Sequence, residues 1–371
     1  MTSIAPIGLQ TTFADVVSSR FAAMWRAVHD EPCPSDVASL LDTMLSPWGA
    51  WPIPPAPAWP SDIGNDHSPF EVSAAFTGAG AELRLLVEAQ GDQPNLRSMR
   101  DAGLALNQAL ARRGADLTRF ERVRDLFLPD VADARFALWH AVKIAPGPVQ
   151  AKVYLNPQIR GVDAADDVVE EALRRLDLGD AWEALERAYG RRPHGAELKY
   201  FALDLEPTRT ARVKVYLYPE HAIAENFEQL ASSRPSYVAG EVTGFVRTIT
   251  GAVGPFVERP LCAYVAFTGG EAIPSDVTLQ IPMGHYAPDD RIARDRVRAY
   301  LLQRGQPSAV YERVVAAATE RPLQAGAGLH TYVSLRTGHS PPRITTYLAA
   351  ELFRVQPPVP PPRSGARLVP R

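Results

Sequence analysis

Cysteine is nearly absent from this chain of 371 residues: Cys33 and Cys262 stand far apart, which excludes a disulfide framework and a CxxC metal knuckle. Long apolar runs are missing as well, and no stretch approaches the ~18 uninterrupted apolar residues of a membrane span. The opening MTSIAPIGLQTTFADVV has neither the basic start nor the apolar centre of a secretory signal, so the chain reads as cytoplasmic, with no membrane partner. Charge of one sign is lacking too. Lys+Arg number 39 against Asp+Glu 42, a net of −3, which is too balanced for a nucleic-acid partner held by bulk charge. Any basic site must therefore be local. What is present is the composition of a globular protein with a large core, 46% hydrophobic and 22% charged. Proline is the outlier at 34 residues, gathered in WPIPPAPAWP (51–60) and in VQPPVPPPRSGARLVPR at the end. Residues 1–356 read as one domain and 357–371 as a Pro-rich tail whose LVPR is a protease-site scar, outside the fold.

Internal repetition decides the architecture. Segments with period-2 alternation are centred on Arg84 (AELRLLVEAQ), Lys152 (VQAKVYLNP), Lys214 (ARVKVYLYP), Gln280 (VTLQIPMG) and Tyr347 (RITTYLAAE), at spacings of 68, 62, 66 and 67 residues. Each follows a partner strand: SPFEVSAAF, ARFALWHAV, LKYFALDLE, LCAYVAFTG and LHTYVSLRT. Helical stretches lie between the pairs, among them FADVVSSRFAAMWRAV, NLRSMRDAGLALNQALARRG and DAADDVVEEALRRL, with Asp or Ser often at the entry and apolar residues three and four apart. The unit is helix, helix, strand, strand, five times over. An α+β fold is predicted: a closed ten-stranded antiparallel β-barrel of five ααββ repeats with its helices outside, closure removing every exposed edge.

Strand parity shows which way the barrel faces. In ARVKVYLYP, Val213, Val215 and Leu217 share one face while Arg212, Lys214, Tyr216 and Tyr218 share the other. If the helices cover the apolar face, the polar face lines a wet lumen. The inward set is Glu71, Arg84, Lys152, Tyr154, Arg212, Lys214, Tyr216, Tyr218, Tyr264, Gln280, Tyr332 and Tyr347. Cations crowded into one cavity repel one another and lose hydration, so the four Arg and Lys side chains call for an anion, a phosphate or diphosphate. Tyrosine faces attract a cation and tyrosine hydroxyls can finish the coordination of an anion. An allylic diphosphate needs both as it ionises.

With SPFEVS (Glu71), ELRLLVEA (Arg84), AKVYLNP (Lys152, Tyr154), ARVKVYLYP (Arg212, Lys214, Tyr216), HTYVS (Tyr332) and TTYLA (Tyr347) in place, the chain resembles the aromatic prenyltransferases built on five ααββ repeats. Within them it is similar to the dimethylallyltryptophan synthase type, in its bacterial form. The resemblance implies transfer of a dimethylallyl group from dimethylallyl diphosphate to the indole ring of tryptophan or a tryptophan derivative. It further implies that Glu71 binds the indole N–H, that Arg84, Lys152, Arg212 and Lys214 hold the diphosphate, and that the matching tyrosines shield the allyl cation. There are two departures. Members that alkylate the indole 4-position carry a lysine where parity here places Trp139, so another ring position is expected. Gln280 stands where many fungal relatives have tyrosine; it can donate to a phosphate oxygen but cannot shield a cation. Trp139, Tyr218 and Tyr264 are read as substrate-pocket residues.

Two tempting features have plainer readings. His140 shares its parity with Phe136 and Leu138, which makes it a satisfied histidine under the helices rather than a base. DDVVEE (166–171) resembles a magnesium-diphosphate motif but sits at a helix start, where acids complement the dipole. No cofactor is expected, magnesium being at most stimulatory, and the partners are small molecules, with the protein a monomer or weak homodimer. Prenylation of an indole-containing cyclic dipeptide or other aromatic acceptor, and a noncatalytic barrel that binds a phosphorylated metabolite, are the alternatives.

Overall fold

Alternating strands that bury one face need a second layer to cover it, and the chain supplies that layer from within each repeat. The computed structural model describes residues 11–77, 80–129, 134–189, 195–234, 236–257, 259–269, 273–339 and 342–359. The first repeat is α1 (Phe13–His29), α2 (Ser35–Leu45), β1 (Phe70–Thr77) and β2 (Gly80–Val87); the second is α3 (Leu96–Ala111), α4 (Thr118–Phe127), β3 (Leu138–Ile144) and β4 (Gln150–Leu155). The third is α5 (Ala165–Arg175), α6 (Gly179–Tyr189), β5 (Glu197–Asp204) and β6 (Val213–Tyr218). The fourth is α7 (Ala224–Ala231), α8 (Glu241–Thr250), β7 (Cys262–Phe267) and β8 (Asp276–Pro282). The fifth inserts a single turn, α9 (Met283–Tyr286), before α10 (Asp290–Gln303), α11 (Ala309–Ala318), β9 (His330–Arg336) and β10 (Arg343–Ala349). Every strand pairs antiparallel with its chain neighbours, and β1 pairs with β10, so the barrel is closed as expected.

Local chemistry starts the helices. Thr12 and Asp15 form a capping box on α1, whose Val17, Phe21, Met24 and Trp25 recur at helical spacing and are buried. Asn95 accepts from the Ser98 N–H at the start of α3. This helix lies so close to β3 that a Cβ on Gly103 would come within 2.7 Å of the Leu138 side chain, so only glycine fits there. One turn on, Asn107 meets the His140 imidazole at 2.8 Å, and burial pushes that ring down to about 3. His140 is thus a neutral histidine beneath α3.

The apolar core is a ring between barrel and helices. Val213, Val215 and Leu217 of β6 are buried in it, as are Val153 and Leu155 of β4 and Leu83 and Leu85 of β2. Each such side chain contributes ~1.5–3 kcal/mol by leaving water, which fixes the register and forces the alternate residues into the lumen. Two bulges interrupt the alternation. Lys199 is the extra residue of β5 against β6, and Thr331 the extra residue of β9 against β10. Beyond β10 the chain returns across one barrel end, where the Phe353 N–H donates to Asp66 at 3.0 Å and the Val359 N–H to the Pro288 carbonyl at 2.8 Å. The rest of the Pro-rich tail, with its LVPR, lies outside the described residues. Among those described, no helix is long and apolar enough to cross a membrane.

Candidate active site

The inward residues fall into tiers along the barrel axis. At one end, a cavity of about 210 Å³ is lined by Arg84, Lys143, Lys152, Arg212, Lys214, Arg336 and Arg343 together with Glu82, Asp204 and Tyr264. Arg84, Lys152, Arg212 and Lys214 are therefore brought together. The expectation of cations lacking an anion needs correction, because carboxylates stand among them. Asp204 lies opposite Lys152 in the β4–β5 register, accepts from the Arg212 guanidinium at 2.7 Å and is 3.6 Å from the Lys214 ammonium. Glu82 accepts from Arg84 at 2.6 Å, and Lys143 and Arg343 reach it at 2.8 and 2.5 Å. Asp276 pairs with Arg336 and lies 3.8 Å from Arg212.

Burial and the attraction between opposite charges act on these groups in opposite directions. Burial works against ionised Asp204, but Lys214, Lys152 and Arg212 outweigh it and hold the carboxyl well below its usual range. The same balance takes Glu82 down to about 2. Lys214, only 2% exposed, is pushed down to about 8 by burial with Arg212 nearby, against the pull of Asp204. Lys152 falls well below the ordinary lysine range through burial and then the Lys214 charge. The cavity thus remains short of negative charge and has room for more.

An aromatic tier comes next. The Tyr216 ring is 4.9 Å from Tyr264, 5.7 Å from Tyr200 and 5.9 Å from Tyr154, and Tyr332 lies 6.4 Å from Tyr347. Lysine ammoniums already lie over two of these rings, Lys152 over Tyr154 at 5.7 Å and Lys214 over Tyr264 at 5.3 Å. Tyr264 therefore borders the cationic cavity rather than the far end. Gln280 donates its amide to the Tyr347 hydroxyl at 3.2 Å, while Thr278 is the β8 residue that lines the cavity.

The opposite end opens into a wider cavity of about 770 Å³ bordered by Phe136, Tyr200, Tyr218 and Tyr332, with Lys199, Arg259, Glu197 and Asp62 at its rim. Trp139 stacks on Phe136 at 4.2 Å and tilts against Tyr200 at 5.3 Å. Glu71 is 4% exposed and accepts a short hydrogen bond from the Thr331 hydroxyl. Burial pushes its carboxyl up to about 8, and only that hydrogen bond opposes the rise. A second buried carboxyl, Glu88, sits just past β2 beside Ser61 and the Trp59 and Trp139 indoles; its oxygens close no hydrogen bond of good geometry, and burial takes it up to about 7.

Sequence reasoning missed several of these residues. Glu82, Glu88, Tyr200 and Asp204 share the inward parity of their strands and could have been found by extending the alternation. Thr331 and Lys199 could not, because a bulge turns each of them against the alternation. DDVVEE begins α5, on the outer layer, with Asp166 and Asp167 in its first turn.

Comparison with known proteins shows the family. The model of the tryptophan dimethylallyltransferase family matches residues 40–314. The chain belongs to that family. It is similar to the 6-dimethylallyltryptophan synthase of Micromonospora olivasterospora, solved in complex with DMASPP and Trp, at 36% identity over 94% of this chain and 99% of that one, with a TM-score of 0.85. The 5-dimethylallyl tryptophan synthase of Streptomyces coelicolor matches at 32% identity over 98% and 100% of the two chains, also at 0.85. The prenyltransferase PriB, in its ternary complex with L-tryptophan and dimethylallyl thiolodiphosphate, matches at 30% over 94% and 99%, again at 0.85. In this barrel the cations lie at one end, the tyrosines in the middle and the buried Glu71 towards the other.

Proposed function

We propose that the barrel transfers the dimethylallyl group of dimethylallyl diphosphate to the indole ring of tryptophan. The observation that carries this is the axial order of charge, from Lys152, Arg212 and Lys214 through Tyr154, Tyr216 and Tyr264 to Glu71. Arg84, Lys152, Arg212 and Lys214 hold the diphosphate and take up the negative charge that grows as the C1–O bond breaks and its electron pair leaves with the phosphate oxygen. Tyr154, Tyr216, Tyr332 and Tyr347 face the allyl cation left behind, with Gln280 orienting the Tyr347 hydroxyl. An indole ring carbon forms the new C–C bond, Glu71 accepts a hydrogen bond from the indole N–H, and the ring proton then passes to water or to the released diphosphate, its C–H electron pair restoring aromaticity. Trp139 and Tyr218 wall the acceptor, and the mixed charges of Lys199, Arg259, Glu197 and Asp62 suit a zwitterionic amino acid better than a neutral cyclic dipeptide.

With Trp139 in place of a lysine, attachment falls away from C4; we infer position 6, which the name of a relative at 36% identity carries, with position 5 next. The working unit is a single domain over 1–356, a cytoplasmic monomer or weak homodimer whose free thiols Cys33 and Cys262 suit a reducing compartment. Incubation with dimethylallyl diphosphate and L-tryptophan, read by mass spectrometry and NMR, tests the assignment. One added C5H8 on a benzo-ring carbon is expected. Unchanged donor and tryptophan, with the donor bound, would instead make this a noncatalytic binding barrel.

A further inference from the structure

Catalysis needs the diphosphate stabilised as it leaves and then let go, and these requirements conflict in a cavity rich in cations. Arg84 shows how the conflict is resolved. Its Nε and Nη2 both donate to one oxygen of Glu82, at 3.0 and 2.6 Å, so the Nε edge of the guanidinium, one of the two that could grip a phosphate, is engaged by a carboxylate. Lys143 and Arg343 converge on the same carboxylate from the neighbouring strand β3 and from β10. Glu82 and Arg84 are 23% and 26% exposed, which sets them at the open edge of the cationic cavity, whereas Asp204 and Lys214 are buried at its floor. That edge lies at the opposite end of the strands from Glu71 and the wide acceptor cavity; the two cavities have no lining residue in common.

Resting on the donor-site reading above, we propose that Glu82 governs the release of diphosphate: it competes for Arg84, Lys143 and Arg343, and takes these cations back as the product departs through the charged end of the barrel. Glu82 acts through the cations and is a positioning residue. An alternative role as mere scaffold makes the opposite prediction, since three cations that lost their shared partner would splay and hold an anion less well.

Calorimetric binding of inorganic pyrophosphate to wild type, Glu82→Gln and Lys214→Ala separates the cases. With Glu82→Gln the dissociation constant should fall about tenfold, one screened charge at the cavity edge being worth a modest factor. Steady-state kcat should fall with it while the single-turnover rate holds. Glu82→Asp keeps the charge but shortens its reach, so it should lower the constant by a smaller factor, and it serves if the Gln variant does not fold. A constant that rises or stays level in the folded variants would overturn the release role. Equal binding to wild type and Lys214→Ala would overturn the donor site itself.

Discussion

Glu71, like Glu88, differs from the carboxylates of the cationic cavity in how its charge is controlled. Glu82 and Asp204 are kept ionised by the cations around them, whereas Glu71 is raised to about 8 by burial and has the Thr331 hydroxyl as its opposing influence. An arriving indole N–H adds a second donor, which favours the carboxylate and places a negative charge beside the ring as it becomes cationic. Glu71→Gln keeps an acceptor oxygen and loses the charge, so kcat should drop by about one to two orders of magnitude with little change in tryptophan affinity. Loss of affinity alone would leave Glu71 only a positioning role. Thr331→Val removes the hydrogen bond that favours the ionised form, so the acid limb of the pH–rate profile should move to higher pH and return with Thr331→Ser. Glu71 was legible in the sequence because it falls on the inward parity of a recognisable motif. Thr331 was not, since its aim depends on a bulge between Tyr347 and Leu348 that no residue type announces.

Strands β4 and β6 carry most of the donor site, and their alternation alone reveals Lys152, Arg212 and Lys214. Alternation does not reveal rows across strands. Asp204 stands opposite Lys152, and Ser73, Arg84 and Lys143 form one row across β1, β2 and β3, because of register set by hairpin geometry and by burial of the outer face. The lowered lysines make this element pH-sensitive. Lys214 is pushed down to about 8 and Lys152 also falls well below the ordinary lysine range, both through burial first, so donor affinity should decline as pH rises through about 8. Bound diphosphate supplies an anion that favours both ammonium forms, which raises their titration in the complex. The alkaline limb of kcat/KM for the donor should therefore lie near pH 8, and the limb of kcat at saturating donor should lie higher. Coincident limbs would show that neither lysine touches the diphosphate.

The whole molecule was legible to the extent that repetition could carry it: five repeats, ten strands and a polar interior follow from period and parity. Its polarity from end to end was less so. The parity reading counted four cations and one acid, and that balance left out Glu82, Asp204 and Asp276 at one end as well as Lys143, Arg336 and Arg343. The fuller set bears directly on whether the donor's charge must be met by magnesium. Carboxylates that bind a divalent ion must face it with free oxygens, yet Glu82 is engaged by Arg84, Lys143 and Arg343, and Asp204 by Arg212 with Lys152 and Lys214 close by. A magnesium ion entering there would have to displace guanidinium and ammonium groups that do the same electrostatic work on a leaving diphosphate. Catalysis in excess EDTA is therefore expected within a few-fold of the rate in magnesium, the remainder reflecting magnesium on the free donor or on released product. Turnover that vanishes in EDTA and returns in proportion to added magnesium would mean that a metal, and not the arginines and lysines of β2, β4 and β6, carries the diphosphate charge.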